Sequence, residues 1–314
     1  MLKILVKDKI DPLVVEELKR RKFSVREGEQ RPDAIYQEVQ QNEILIIRSA
    51  TNITRELIDS ALKTGLLKVI IRAGVGVDNI DVGYTRSRGI EVFNTPEASS
   101  ESVAELALAH IFVLARKIVP ANLTMKNGEW NKNDFLGMEL SGKIMGIIGM
   151  GRVGKALARK ASALGMRIIY YDIKTLEGVE SSWQSLPLEE VLKQSDFISL
   201  HVSPEKNNGY LIDRAQFRMM KKNAFLINTA RGRLVNEDAL LEALDNNEIA
   251  GAGIDVYCQE PCNNIALLRH DRISVTPHIG ASTKEAQYRI GQEIIQLIED
   301  YQDKKKAGGI HGIY

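Results

Sequence analysis

The chain has 314 residues, enough for two domains of ordinary size. Its 42 basic and 41 acidic residues nearly cancel, which argues against a nucleic-acid or membrane surface as partner. Cys258 and Cys262 are the only two cysteines, so a disulfide framework is excluded; without companion histidines they make a poor metal site, and no metal is expected.

Lys3 to Lys7 reads as a strand and not as part of a signal peptide. A helix capped by Asp11-Pro12 follows, then a strand at Glu43 to Arg48, a helix from about Thr54, and strands at Leu67 to Arg72 and Ile90 to Phe93. Repeated strand–helix units predict a parallel sheet covered by helices on both faces. Two of these strands end in residues suited to an anion: Arg48-Ser49-Ala50-Thr51 and Arg72-Ala73-Gly74-Val75-Gly76-Val77-Asp78-Asn79. Gly74 and Gly76 in the second expose backbone N–H groups that suit a carboxylate, although ordinary βα turns would have the same composition as either segment. Asn94-Thr95-Pro96 breaks the alternation and marks a crossing between domains.

Ser99 to Arg116 carries apolar residues around most of a helix, the pattern of an element buried in a core or an oligomer interface. His110 within it is expected to be a satisfied core histidine. Ala121 to Leu140 reads as an irregular arm, and its large apolar residues, Trp130, Phe135 and Leu136, point to a partner surface.

The apolar run Lys143 to Ile148 is a buried parallel strand by length and branching. Gly149-Met150-Gly151-Arg152-Val153-Gly154 follows, then a helix over Lys155 to Leu164 and a strand over Met166 to Tyr171 that ends at Asp172. Strand, glycine turn, helix, strand and acid within about 30 residues form the context that a dinucleotide-binding fingerprint demands. Gly149 permits the tight turn, Gly151 lets backbone approach a pyrophosphate, and Gly154 lets the helix sit close, its N-terminal dipole facing the phosphates. Asp172 suits the two ribose hydroxyls and repels a 2′-phosphate, which favours NAD over NADP; Lys174 nearby works against that selectivity.

Beyond Asp172, strands are predicted at Phe197 to His201, Ala224 to Asn228, Ala250 to Asp255 and Ile273 to Thr276, with helices from near Pro187, Asp213 and Asn236. Three strand ends are polar: Asn228-Thr229-Ala230-Arg231-Gly232, Asp255-Val256-Tyr257-Cys258-Gln259-Glu260-Pro261, and Thr276-Pro277-His278-Ile279-Gly280. Carboxyl ends of strands line the cofactor crevice in a doubly wound sheet. An arginine, carboxylates and a histidine gathered there suit hydride transfer at a carbon that bears a hydroxyl beside a carboxylate. An imidazole, with a pKa of about 6.5, can take the hydroxyl proton. Glu260 would raise the pKa of His278 and fix its tautomer, and the planar fork of Arg231 can hold a 2-oxo acid. Asp255 is expected beside the nicotinamide carboxamide or opposite its positive charge.

Thr283 to Tyr301 is an amphipathic helix with a solvated Lys304-Lys305-Lys306 tail, and it is the candidate to cover the N-terminal sheet. No apolar run reaches membrane-spanning length. The predicted architecture is α/β: two doubly wound, parallel-sheet (Rossmann-like) domains in a cytoplasmic protein. Residues 1–96 with 284–314 form one domain and 97–283 the nucleotide-binding one, the chain crossing twice beside a cleft.

These segments together, with Ile80-Asp81 and Ala281-Ser282-Thr283, resemble the D-2-hydroxyacid dehydrogenase family over essentially the whole length. The separations of Arg231, Glu260 and His278 match the family's catalytic triad. Arg48 to Thr51 and Arg72 to Asp81 lean toward the branch that acts on 3-phosphoglycerate. The resemblance implies NAD-linked oxidation of 3-phosphoglycerate to 3-phosphohydroxypyruvate, opening serine biosynthesis, by a homodimer paired through residues 99–140. His278 would be the acid/base, Glu260 its partner and Arg231 the substrate clamp. Arg152, Val153, Asp172, Val202, Thr229, Ala230, Asp255 and Gly280 would join Gly149, Gly151 and Gly154 at the cofactor. Arg48, Ser49, Ala50, Gly74 and Val75 would meet the substrate.

Three departures from the family pattern stand out. Val75 replaces a frequent threonine, His201-Val202-Ser203-Pro204-Glu205 replaces a proline-rich loop, and Cys258-Gln259 replaces an acidic pair. Longer members continue into a serine-sensing domain, so no serine feedback of that type is expected here. Two rival readings remain: a glyoxylate/hydroxypyruvate reductase or D-lactate dehydrogenase of the same family, and an NAD-sensing binding protein like the corepressors that share the fold.

Overall fold

The computed structural model describes residues 1–29, 31, 33–203 and 209–307. They divide into two units, Met1–Ser99 with Ala281–Tyr314, and Ser100–Gly280.

The first unit opens with β1 (Lys3–Val6), α1 (Pro12–Arg20), β2 (Ser24–Glu27), α2 (Ile35–Glu38) and β3 (Ile44–Ile47). It continues with α3 (Arg55–Leu62), β4 (Val69–Arg72), α4 (Val82–Ser87) and β5 (Glu91–Asn94). The strands form one parallel sheet in the order β2-β1-β3-β4-β5, a doubly wound arrangement whose order reverses between β1 and β3. Helix starts follow local capping: the Asp11 carboxylate accepts from the Leu13 amide ahead of Pro12, and the Thr54 hydroxyl accepts from Leu57. β2 was not foreseen. Its sequence, Ser-Val-Arg-Glu, is mostly exposed at the sheet edge, so it lacks the apolar signature of its neighbours.

The second unit begins with α5 (Ser100–Arg116), α6 (Ile118–Lys126) and a single 3-10 turn at Lys132–Phe135. The expected irregular arm therefore starts as a helix. Lys117, in the left-handed region at φ 51°, redirects the chain, and Pro120 falls in the first turn of α6, where a missing N–H costs nothing. No residue of α6 is buried, and Leu123, Met125, Trp130 and Leu136 are exposed.

The Rossmann-type sheet follows: β6 (Ile144–Ile148), α7 (Arg152–Ala163), β7 (Arg167–Tyr171), the short β8 (Gln184–Ser185), α8 (Leu188–Gln194) and β9 (Phe197–Leu200). α9 (Arg214–Met219), β10 (Phe225–Asn228), α10 (Glu237–Asp245), β11 (Gly251–Ile254), α11 (Ile265–Arg269) and β12 (Ile273–Val275) complete it. The strands are parallel in the order β12-β11-β10-β9-β6-β7-β8. Order reverses between β6 and β9, which places the glycine turn at the switch point of the sheet. Pro204 and Glu205, which the sequence places in the loop after β9, lie outside the described residues.

α12 (Lys284–Lys306) returns to the first unit. Its Ile290, Ile294, Ile295, Ile298 and Tyr301 join Leu2, Ile4, Val14, Leu18 and Ile46 in one buried cluster. The helix runs further than its amphipathic pattern suggested and takes in Lys304, Lys305 and Lys306, cations at a helix C-terminus where the dipole favours them.

Candidate active site

At the end of β6 the backbone turns at Gly149 with φ 95°, and a Cβ there would lie 2.6 Å from Val202 Cγ1 and 2.7 Å from the His201 carbonyl oxygen. The turn is thus pressed against the exit of β9, and only glycine fits. A Cβ on Gly154 would lie 2.2 Å from the Gly149 carbonyl oxygen, so the third glycine closes the same turn. Gly151 differs from both. It is the N-cap of α7, no side chain caps the helix there, and a Cβ would meet nothing within 4 Å. Amides at an uncapped helix start, with open space before them, are a ready anion site.

Asp172 closes the other side of the turn. Its Oδ2 accepts from the Met150 amide at 2.8 Å and its Oδ1 from the Lys174 amide at 2.9 Å. Each carboxylate oxygen keeps acceptor capacity for a ribose hydroxyl. Thr229, at the end of β10, has a buried Oγ1 with no partner among the described residues. A buried hydroxyl is normally paired, so this atom awaits a ligand group. The glycine turn, Asp172 and Thr229 together fit a dinucleotide.

Three polar side chains gather at the exits of adjacent strands β10, β11 and β12. His278 sits at φ 51°, and its amide donates to the carbonyl oxygens of Asp255 (2.8 Å) and Thr276 (3.1 Å). Its Nδ1–H donates to Glu260 Oε2 at 2.7 Å, which leaves Nε2 as the nitrogen open to chemistry. Glu260 is further held by the Tyr257 amide on its Oε1. Burial pushes the Glu260 carboxyl up, but the His278 hydrogen bond and charge, the Tyr257 amide and the charge of Arg231 outweigh it, leaving the pKa below the usual carboxylate value. Arg231 is brought close by packing of backbone on backbone. A Cβ on Gly232 would lie 1.9 Å from the Tyr257 carbonyl carbon, so the Arg231-Gly232 turn rests directly on the loop that carries Glu260.

Asp255 is fully buried. Its Oδ1 accepts from Thr276 Oγ1 (2.6 Å) and the Ile279 amide (2.8 Å), and its Oδ2 from the Gly280 amide (2.9 Å). The sequence assigned this carboxylate to the nicotinamide; its visible partners all lie in the His278 turn. Ala230 is oriented by Asn228, whose Oδ1 accepts from the Ala230 amide and whose Nδ2 donates to the Arg231 carbonyl.

In the first unit, the Arg48–Thr51 loop is organised by Asp8, which sequence reasoning missed, and by Asn79 of the glycine segment. Asp8 accepts from the Arg48 amide (2.6 Å), the Thr51 amide and the Thr51 hydroxyl. Asn79 Nδ2 donates to the carbonyl oxygens of Arg48 and Thr51. Ser49 and Ala50 are left exposed between them. Gly74, at φ 143°, lies under the Arg72 side chain, whose Nη1 would be 1.6 Å from a Cβ there, and Val75 is exposed. An acid directly after the first strand was the available signal for Asp8. Glu237 was also missed: its carboxylate accepts from the Cys258 amide and the Asn264 side chain, pinning the loop around Glu260, and nothing local in the sequence marks it.

A doubly wound parallel sheet with a glycine turn at its switch point, and a histidine–carboxylate pair at neighbouring strand ends, defines a nicotinamide-dinucleotide-binding domain. Residues 108–280 match the family model described as D-isomer specific 2-hydroxyacid dehydrogenase, NAD binding domain. The chain belongs to the D-isomer specific 2-hydroxyacid dehydrogenases and carries that family's NAD-binding domain. It is 40% identical to a D-3-phosphoglycerate dehydrogenase of Sus scrofa over 98% of this chain and 58% of that protein. A hydroxypyruvate reductase of Thermotoga maritima is 39% identical over 85% of this chain and 87% of its own. The crystal structure of an NAD-binding protein of Polaromonas sp. JS6 66, assigned to the same D-isomer specific class, superposes with a TM-score of 0.89 at 30% identity, covering 97% of each chain. The chain thus spans less than two thirds of the phosphoglycerate dehydrogenase it matches. No described helix is long and apolar enough to cross a membrane.

Proposed function

We propose that the chain catalyses NAD-dependent oxidation of D-3-phosphoglycerate to 3-phosphohydroxypyruvate, the first step of L-serine biosynthesis, in the cytoplasm. The observation that carries this reading is the 2.7 Å His278–Glu260 pair, with Arg231 packed beside it, in the unit that holds the glycine turn. Bound NAD supplies the hydride acceptor for the substrate C2–H. His278 Nε2 takes the proton of the C2 hydroxyl as the carbonyl forms, and returns it when the reaction runs backward. Glu260 holds Nδ1–H, which orients the ring and stabilises the imidazolium produced. Arg231 pairs with the substrate carboxylate. We assign the substrate contacts of the first unit to Arg48, Ser49, Ala50, Gly74 and Val75, with Arg48 the group for the phosphate. The exposed apolar residues of the α6 arm are assigned to a homodimer contact.

A second reading, reduction of hydroxypyruvate or glyoxylate, is favoured by the Thermotoga maritima relative, which matches over most of its own length. Turnover of 3-phosphoglycerate, glycerate and lactate with NAD, and of hydroxypyruvate and glyoxylate with NADH, separates the two. Preference for the unphosphorylated acids overturns the phosphate assignment. His278→Ala should abolish turnover while NAD binding, followed by NADH fluorescence, stays within about threefold. Unchanged turnover in that variant rejects the acid/base role.

A further inference from the structure

α5 fastens the His278 turn at two places. Ser102 Oγ donates to the Gly280 carbonyl oxygen at 2.7 Å. Further along the helix, His110 is only 2% exposed, with Nδ1 2.9 Å from Ser274 Oγ and Nε2 3.1 Å from Thr276 Oγ1. Thr276 has one hydroxyl proton, and it is committed to Asp255 Oδ1 at 2.6 Å. Toward His110 the same oxygen must therefore accept, so the ring proton sits on Nε2 and Nδ1 accepts from Ser274. Burial pushes the His110 imidazole below its usual pKa and the charge of Asp255, acting the other way, does not overcome it, in keeping with this neutral tautomer. The approach of His110 to the sheet depends on Gly253 in β11, where a Cβ would lie 2.7 Å from His110 Cβ.

The result is one connected chain of donors and acceptors. His110 orients Thr276, and Thr276 orients Asp255. Asp255 then grips the amides of Ile279 and Gly280, and His278, just before them, is held in a left-handed conformation that a non-glycine residue adopts only under constraint.

We propose that Ser102, His110 and Thr276 are positioning residues for the acid/base: His110 and Thr276 through Asp255, and Ser102 through the Gly280 carbonyl, fix the turn that presents His278 to Glu260. This rests on the role given to His278 above. Core packing alone would require only the volumes of these side chains; positioning requires their hydrogen bonds.

The test compares Thr276→Val, which keeps the shape and removes the hydroxyl, with Thr276→Ser, and His110→Phe with His110→Gln, in the full chain. Gln can donate to Thr276 and accept from Ser274. Turnover is followed with 3-phosphoglycerate and NAD, and with hydroxypyruvate and NADH. Thr276→Val and His110→Phe should lower kcat about tenfold to a hundredfold, the range for a reacting group displaced by about 1 Å, with KM for NAD little changed and the pH profile shifted. Ser and Gln should restore most of the loss. Amide exchange over residues 276–280 of the ligand-free chain should speed up in Val and Phe and return toward wild type in Ser and Gln.

Thr276→Val with wild-type kcat and wild-type exchange overturns the proposal, even where His278→Ala is inactive and the catalytic reading stands. If the wild type turns over none of these acids, that reading fails and the exchange comparison still decides the positioning claim. Ser102→Ala gives the same readout should His110→Phe not fold.

Discussion

Gly232→Ala adds one methyl group at the place where two strand exits touch, and the structure sets its cost. The new Cβ would lie 1.9 Å from the Tyr257 carbonyl carbon, 2.0 Å from its oxygen and 2.4 Å from the Cys258 nitrogen. Every obstacle is backbone, so no side chain can swing aside. Reaching an ordinary carbon–carbon contact of about 3.5 Å requires a displacement of roughly 1.5 Å. Overpacking of this kind costs about 1–3 kcal/mol. In a unit spanning residues 100–280 each kcal/mol moves Tm by about 2–4 °C, so Tm should fall by roughly 2–12 °C. The segment that must move carries the Tyr257 amide bound to Glu260, so kcat should fall by about a hundredfold even where the protein stays folded. Thermal unfolding with and without NAD, alongside steady-state kinetics, checks both figures. A variant with wild-type Tm and kcat would refute the claim that Gly232 is required by close backbone approach.

Gly151→Ala should behave oppositely. Nothing lies within 4 Å of its Cβ, so Tm of the ligand-free protein should stay within about 1 °C, while NAD affinity drops at least tenfold because the methyl stands where the pyrophosphate approaches. Calorimetric titration with NAD measures this, and unchanged affinity would sink the phosphate role of the turn. Stability should also fall as pH drops from about 7 to 5, since the unfolded chain protonates His110 near its ordinary value while the folded one resists. A folded-state pKa held below the unfolded one contributes stability present above the unfolded value and lost as pH falls toward the folded one. Burial pushes His201 down as well, so Tm in His110→Gln should depend on pH less steeply without becoming flat. An identical slope in that variant would remove His110 as a source.

The nucleotide turn was legible because three constraints coincide within a short stretch: Gly149 and Gly154 are demanded by backbone contacts, and Asp172 follows at the end of the next strand. The Arg231, Glu260 and His278 strand ends were legible only as a set, because a single polar residue after an apolar strand is ordinarily a turn or cap residue. β2 and α6 were not. β2 is an exposed edge strand without alternation, and the helical start of the arm hid behind Pro120 and the Gly128 break. His110 was placed in the core as expected, but its orienting role depends on Thr276 and Asp255, which are remote in sequence and meet it only through sheet order. Asp8 and Glu237 act on distant backbone amides, a relation that no local pattern encodes.

The first unit is discontinuous, and this bears on how the protein is made. Ile290, Ile294, Ile295 and Ile298 complete the cluster around Leu2, Ile4 and Val14, and Gly291 lets α12 lie so close that a Cβ there would sit 2.3 Å from Val14 Cγ2. On the ribosome the opening 99 residues therefore emerge with one face of their sheet only partly covered, by Val14, Val15 and Leu18 of α1. The middle unit has all of its strands before that missing helix is synthesised. Until α12 is made, the core of the first unit stays open along the flank that Ile290, Ile294, Ile295 and Ile298 later fill.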